Sequence, residues 1–174
     1  MKKIKVVFFI IGVLLIICIS RLSIDAQTSN EKSDNEYFAM ARKSVADYQI
    51  IYQILKTDIV NTDDRLYTVY IDEFSGAYLD DKGLLNILFS NKVEEEKISV
   101  LINEIYENTG NDKIIYGYAD YTYNYLQQIL LNLEKIMEKY EIYSVGIDDK
   151  INKVFIESNI DNEQQIKDYL QEIN

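Results

Sequence analysis

The sequence predicts an α+β fold: a mainly antiparallel sheet with two β-hairpins, and helices packed on one of its faces. Three observations carry that expectation. Residues 74–90 and 143–158 each read as apolar strand, polar turn and returning apolar strand. The segments around them repeat apolar residues at helical spacing. Hydrophobic residues at 48% and charged ones at 27% match an ordinary folded protein rather than a disordered chain.

Taken in order, residues 1–26 read as a signal peptide or an N-terminal membrane anchor. Lys2, Lys3 and Lys5 precede an apolar run over residues 6–19, broken only by Gly12 and Cys18. That run is shorter than the ~20 apolar residues a spanning helix needs, so export is the expectation, with secretion or retention on the outer face of the cytoplasmic membrane both open. Cleavage sites around Cys18-Ile19-Ser20 and Ile24-Asp25-Ala26 fit the small-x-small pattern in part. Cys18 is the only cysteine and is preceded by Leu15-Ile16-Ile17, so it reads as an apolar residue rather than a lipidation site. The exported part therefore has no disulfide and no thiolate nucleophile.

Residues 27–35 read as a polar linker and 36–174 as a single domain. Ser33-Asp34-Asn35-Glu36 has capping-box spacing, and Phe38, Ala41, Val45, Tyr48, Tyr52 and Leu55 then share a helix face. Asn61-Thr62-Asp63-Asp64 is expected to break that helix, and alternating Tyr67, Val69 and Ile71 to form a strand. In the first hairpin, Gly76-Ala77-Tyr78-Leu79 turns through Asp80-Asp81-Lys82-Gly83 into Leu84-Leu85-Asn86-Ile87-Leu88-Phe89. Asn91 and Glu94 signal a helix start, Ile98, Leu101, Ile102 and Ile105 its apolar stripe, and Gly110 a left-handed residue past its end. A short strand is expected over residues 114–119. Asp120 is expected to cap the longest helix, with Leu126, Ile129, Leu130, Leu133, Met137 and Tyr140 on its buried side. In the second hairpin Val145 and Ile147 share a face with Val154 and Ile156. Asp161 with Gln164 opens a last helix carrying Ile166, Tyr169, Leu170 and Ile173.

Charge and missing residue types exclude several functions. The net charge is −11; removing residues 1–26, which hold Lys2, Lys3, Lys5, Arg21 and Asp25, leaves 14 basic against 28 acidic residues, a balance of −14. Such a body repels a phosphate backbone, so nucleic acid is not an expected partner and a basic partner is the complementary one. With no histidine in the chain, neither a Ser-His-Asp site nor a histidine-containing zinc site can be assembled. Phosphate loops and nucleophile elbows are also absent from the sequence, so no cofactor is expected. The Asp80-Asp81 and Asp148-Asp149 pairs lack the ladder of a calcium loop and read as turn formers, while Glu94-Glu95-Glu96 suits the first turn of a helix. The candidate partner-binding residues are five clustered tyrosines, Tyr116, Tyr118, Tyr121, Tyr123 and Tyr125. They read either as a sticky aromatic patch or as the half-buried cover of a strand-to-helix corner.

Phe74-Ser75-Gly76-Ala77-Tyr78-Leu79-Asp80, followed by Gly83 and Leu84-Leu85-Asn86-Ile87-Leu88, resembles the first hairpin in the pro-regions of bacterial secreted serine proteases of the alpha-lytic protease and streptogrisin type. Val145-Gly146-Ile147-Asp148 with Asn152-Lys153-Val154-Phe155-Ile156 is similar to their later hairpin. The resemblance spans about residues 66–158. Ser75 stands where the family has Gly, Lys153 where it has Arg, and no tryptophan precedes Ile147; no protease domain follows in the 174 residues. It implies a fold and the binding of a folded, protease-like partner rather than proteolysis. The expectation is a non-catalytic exported binding module that docks on a secreted or surface protein, touching the membrane only through residues 6–19 if these are retained. The alternative is a membrane-tethered structural or accessory envelope protein.

Overall fold

The computed structural model describes residues 31–62 and 65–172. Residues Tyr37–Asn174 make up one compact unit, and of the residues before it only 31–36 are described. The element order is α1 (Glu31–Leu55), β1 (Lys56–Thr62), β2 (Arg65–Tyr70), β3 (Phe74–Leu79), β4 (Leu85–Ser90), α2 (Glu95–Thr109), β5 (Ile115–Ala119), α3 (Tyr123–Ile136), β6 (Ile142–Asp148), β7 (Lys153–Ser158), a 3₁₀ turn (Ile160–Asn162) and α4 (Glu163–Glu172). The α+β class and both expected hairpins are present. Among the described residues the strands fall into three sheets rather than one: β1–β2, β3–β4–β5 and β6–β7. All pairs are antiparallel except β4 and β5, which run parallel with α2 as the crossover that a parallel pair requires.

Several element ends differ from expectation. Residues 31–35, read as linker, are the start of α1, while the export segment at residues 6–19, the linker residues 27–30 and Ile173 lie outside the described residues. The helix stops at Leu55, not near Asn61, because Lys56–Thr62 pairs antiparallel with Arg65–Tyr70, with a bulge between Lys56 and Asp58. β-branched Thr57, Ile59 and Val60 suit a pleated surface better than a helix. α3 is capped by Thr122, whose hydroxyl accepts from Tyr125 N–H at 3.2 Å, and not by Asp120, which takes a 2.7 Å bond from the Asn91 amide. At 14 residues it is shorter than the 25-residue α1. α4 starts at Glu163 after the 3₁₀ turn rather than at Asp161.

Two cores organise the described residues. The first joins Ile51 and Leu55 of α1, Tyr70, Phe74, Leu85, Ile87 and Phe89 of the strands, and Ile98 and Ile105 of α2. Its hairpin turn is fastened under α1: Gly83 has φ 76°, a Cβ there would lie 2.9 Å from the Tyr37 carbonyl, and the Ser44 hydroxyl donates to the Gly83 carbonyl at 2.8 Å. The second core joins Leu133 and Ile136 of α3, Ile142 and Ile166, with Val145, Val154, Ile156 and Leu170 against them. The β6–β7 register pairs Val145 with Ile156 and Ile147 with Val154, the expected inward face. α3 contributes to both cores, with Tyr123 in the first and Leu133 in the second. It leaves through Glu141 at φ 50°, where Ile142 N–H donates to the Met137 carbonyl at 2.8 Å.

Leu133→Ala is expected to lower unfolding free energy by about 2–5 kcal/mol through lost burial and the cavity left behind. Val154→Asp, which places an unpaired carboxylate against the second core, should cost at least as much. Tyr143→Asp, at a position 67% exposed, should change stability by less than about 0.5 kcal/mol. Urea titration of the three variants checks this ranking.

Candidate functional site

The two hairpins that the sequence singles out meet at one seam. β3 carries a bulge between Phe74 and Gly76, which leaves Ser75 out of register with β4. The turn between β6 and β7 sits on that bulge. Its Asn152 is buried and holds φ 53°, a left-handed conformation that asparagine tolerates better than most side chains. The Asn152 amide nitrogen donates to the Ser75 carbonyl at 3.0 Å and to the Tyr121 carbonyl at 2.9 Å. Its amide oxygen accepts from Tyr121 N–H at 2.8 Å. One side chain therefore joins β3, the β6–β7 turn and the loop that leads into α3.

Asp148 and Asp149, adjacent in the chain, have opposite environments. The exposed Asp148 carboxylate accepts from Lys150 and Ile151 N–H at 3.0 and 3.3 Å, an Asx turn that shapes the hairpin. The first-hairpin turn is built the same way, with Asp80 accepting from Lys82 and Leu84 N–H, both at 2.9 Å. Asp149 instead turns inward onto Gly76, where φ is 149° and a Cβ would stand 2.8 Å from the carboxyl oxygen Oδ1. That oxygen and the Ser75 hydroxyl are buried without a hydrogen-bond partner. Burial foremost, with the neighbouring Asp148 charge, raises the Asp149 carboxyl to about 7, against the pull of the Ala77 N–H.

Three buried tyrosines, Tyr48, Tyr70 and Tyr123, lie within reach of this carboxyl's charge. Tyr70 packs on Phe74 and Tyr123 with ring centroids 4.8 and 5.1 Å apart, and Asn124 clasps the Tyr70 backbone, donating to its carbonyl at 2.7 Å and accepting from its N–H at 3.0 Å. Burial raises all three neighbouring phenols: Tyr70 to about 12, Tyr48 and Tyr123 well above their ordinary range, with the Asp149 charge adding to each. They are neutral at physiological pH.

The five candidate tyrosines divide between the first core and the surface. Tyr123 is 7% exposed and belongs to the first core, so it presents no surface to a partner. Tyr116 is partly buried and stacks on Phe89 at 6.1 Å. Tyr118 is 58% exposed on β5. Tyr121 and Tyr125, each 39% exposed, stack face to face at 5.5 Å with Lys92 above Tyr121. The helix phase held the signal for this split, because Tyr123 shares the i, i+3 face of buried Leu126 and Tyr125 does not. The stacked pair borders a groove of about 280 Å³ between α3, β7 and α4, floored by Leu126, Ile129, Val154 and Ile156. A wider groove between α1 and α2 is lined by Ile50, Ile54, Glu104 and Asn108. The first holds no carboxylate and the second holds one, Glu104. Among the described residues no group of three or more Cys, Asp or Glu is placed to hold a metal ion, and no helix is long and apolar enough to cross a membrane.

Asn152→Ala removes three bonds and places alanine in the left-handed region; the expected loss is about 3–5 kcal/mol of stability, read by urea unfolding. Gly76→Ala forces the Asp149 carboxyl aside and should also destabilise, whereas Gly110→Ala, with open space around its Cβ, carries only the cost of a positive φ. No protein-family model, no curated protein and no solved structure matches this chain.

Proposed function

We propose that this chain is a non-catalytic binding module that works outside the cytoplasm and docks on a secreted or surface protein, as the resemblance to protease pro-regions implies. The observation that supports this reading best is the stacked Tyr121–Tyr125 pair at the edge of an apolar groove. Tyrosine supplies contact area and a polar tip with few rotors to immobilise, which is why it dominates binding hot spots. The groove runs along β7, which among the described residues pairs with β6 on one side only, so an extended segment of the partner can add beside it while its side chains enter the groove. A basic partner is favoured by the −14 balance of residues 27–174. Among the described residues, Asp80 and Asp148 shape turns, Asp47 holds Lys43 and Asn111, and Asp149 lies buried against Gly76, which gives each of these carboxylates a structural role.

Retention of the apolar residues 6–19 makes the same module a tethered envelope component. Its lysine-flanked run supports that second reading. An intact N-terminus in the membrane fraction separates it from a shortened chain in the medium.

The test is capture of exported proteins by the wild-type chain and by the Tyr121→Ala/Tyr125→Ala double variant. A partner held at micromolar concentration by the wild type and bound at least about tenfold more weakly by the double variant supports the proposal. Equal capture by both, with the variant's circular dichroism unchanged, overturns the docking surface. Absence of any captured protein overturns the binding function.

A further inference from the structure

The seam between the hairpins buries an ionisable group that the binding surface does not use. Asp149 enters it from the β6–β7 turn, and no lysine or arginine is among the groups that stabilise its charge. Facing it are Tyr48 from α1, Tyr70 from β2 and Tyr123 from α3, with the Ala77 N–H of β3 and the acidic Asp148 of its own turn. One carboxyl oxygen has no hydrogen-bond partner, and Gly76 leaves no slack beneath it. A protonated carboxyl fits this surrounding; a carboxylate there lacks compensation.

We propose that Asp149 and its turn form a proton-operated latch: with the carboxyl protonated the turn stays seated on the β3 bulge, and with it ionised the turn lifts and uncouples the second hairpin from the first. The two hydrophobic cores lie on either side of this seam, since Ile147 just before the turn packs with the first core and Val145 with the second. Opening the seam also releases Asn152 from Ser75 and Tyr121. The β6–β7 hairpin keeps its own core on α3 and α4, so what opens is the turn end.

The pH window follows from the two states of the carboxyl. In the unfolded chain it titrates near ~4; in the folded chain it holds its proton up to about 7. Between those values the native state binds more protons than the unfolded one, so stability falls as pH rises through the window and is level on either side of it. The surrounding phenols titrate far above this window and do not contribute.

The experiment uses the full chain and the Asp149→Asn variant, which keeps the shape of the neutral acid. Wild-type urea midpoints should fall from pH 5 to pH 8.5, and those of the variant should not. Amide exchange, corrected for intrinsic rates, should quicken at pH 8.5 relative to pH 5 by about tenfold or more beyond the fall in global stability in residues 148–153 and 119–122, while residues 85–90 quicken only by that fall. Equal pH slopes in the two proteins, or uniform quickening along the chain, overturn the latch. Should the variant not fold, the carboxyl carbon shift of wild-type Asp149 decides: a midpoint above pH 6 supports the latch and one at or below pH 6 overturns it. These readouts need no partner, so they stand or fall apart from the docking proposal.

Discussion

Three hydrogen bonds from Asn152 are the constraint on which the rest of the domain depends. Each core draws on its own set of elements: the first is closed by α1 and α2 over the β3–β4–β5 sheet, the second by α3 and α4 over β6–β7. The hydrophobic effect buries both apolar faces but is non-directional and sets no fixed angle between them. A buried amide that meets the Ser75 carbonyl and both backbone groups of Tyr121 does set one. A shifted turn would strand those groups away from water. β3 can receive the turn only because its bulge turns Ser75 out of the ladder and Gly76 carries no side chain.

The same seam decides where chemistry is available. By burying Asp149 beside Asp148, it raises that carboxyl well above its ordinary range. By fixing the loop before α3, it also sets the start of the helix whose first turn sends Tyr123 inward and Tyr125 outward. Core and candidate surface thus share the first turn of one helix, fastened by the side chain that fastens the hairpins. The stacked tyrosines are held at their backbone rather than by their rings alone, which suits a surface meant to meet a partner with little reordering.

Most elements were legible because their signals are local. Alternation in Val145, Ile147, Val154 and Ile156 gives the inward face of the second hairpin, and the Ile98–Ile105 stripe with Gly110 gives α2 and its left-handed end at φ 59°. β1 was not legible, since Lys56–Thr62 follows a helical pattern without a break and becomes a strand only by pairing with β2. Division of the strands into three sheets also has no local signature, because it depends on which edges meet.

By itself, the sequence determined the α+β class, the two hairpins, an acidic body without histidine chemistry, and the lysine-flanked apolar start. Those properties follow from composition and from periods of two and 3.6 residues, which neighbouring positions write directly. Only the tertiary structure decided that Asn152 reaches Ser75, 77 positions away, and Tyr121, 31 positions away. It alone turned Asp149 inward while Asp148 stayed in solvent. In the sequence both aspartates and the asparagine are ordinary turn residues. Their burial depends on the surface the turn lands on, which no local pattern records.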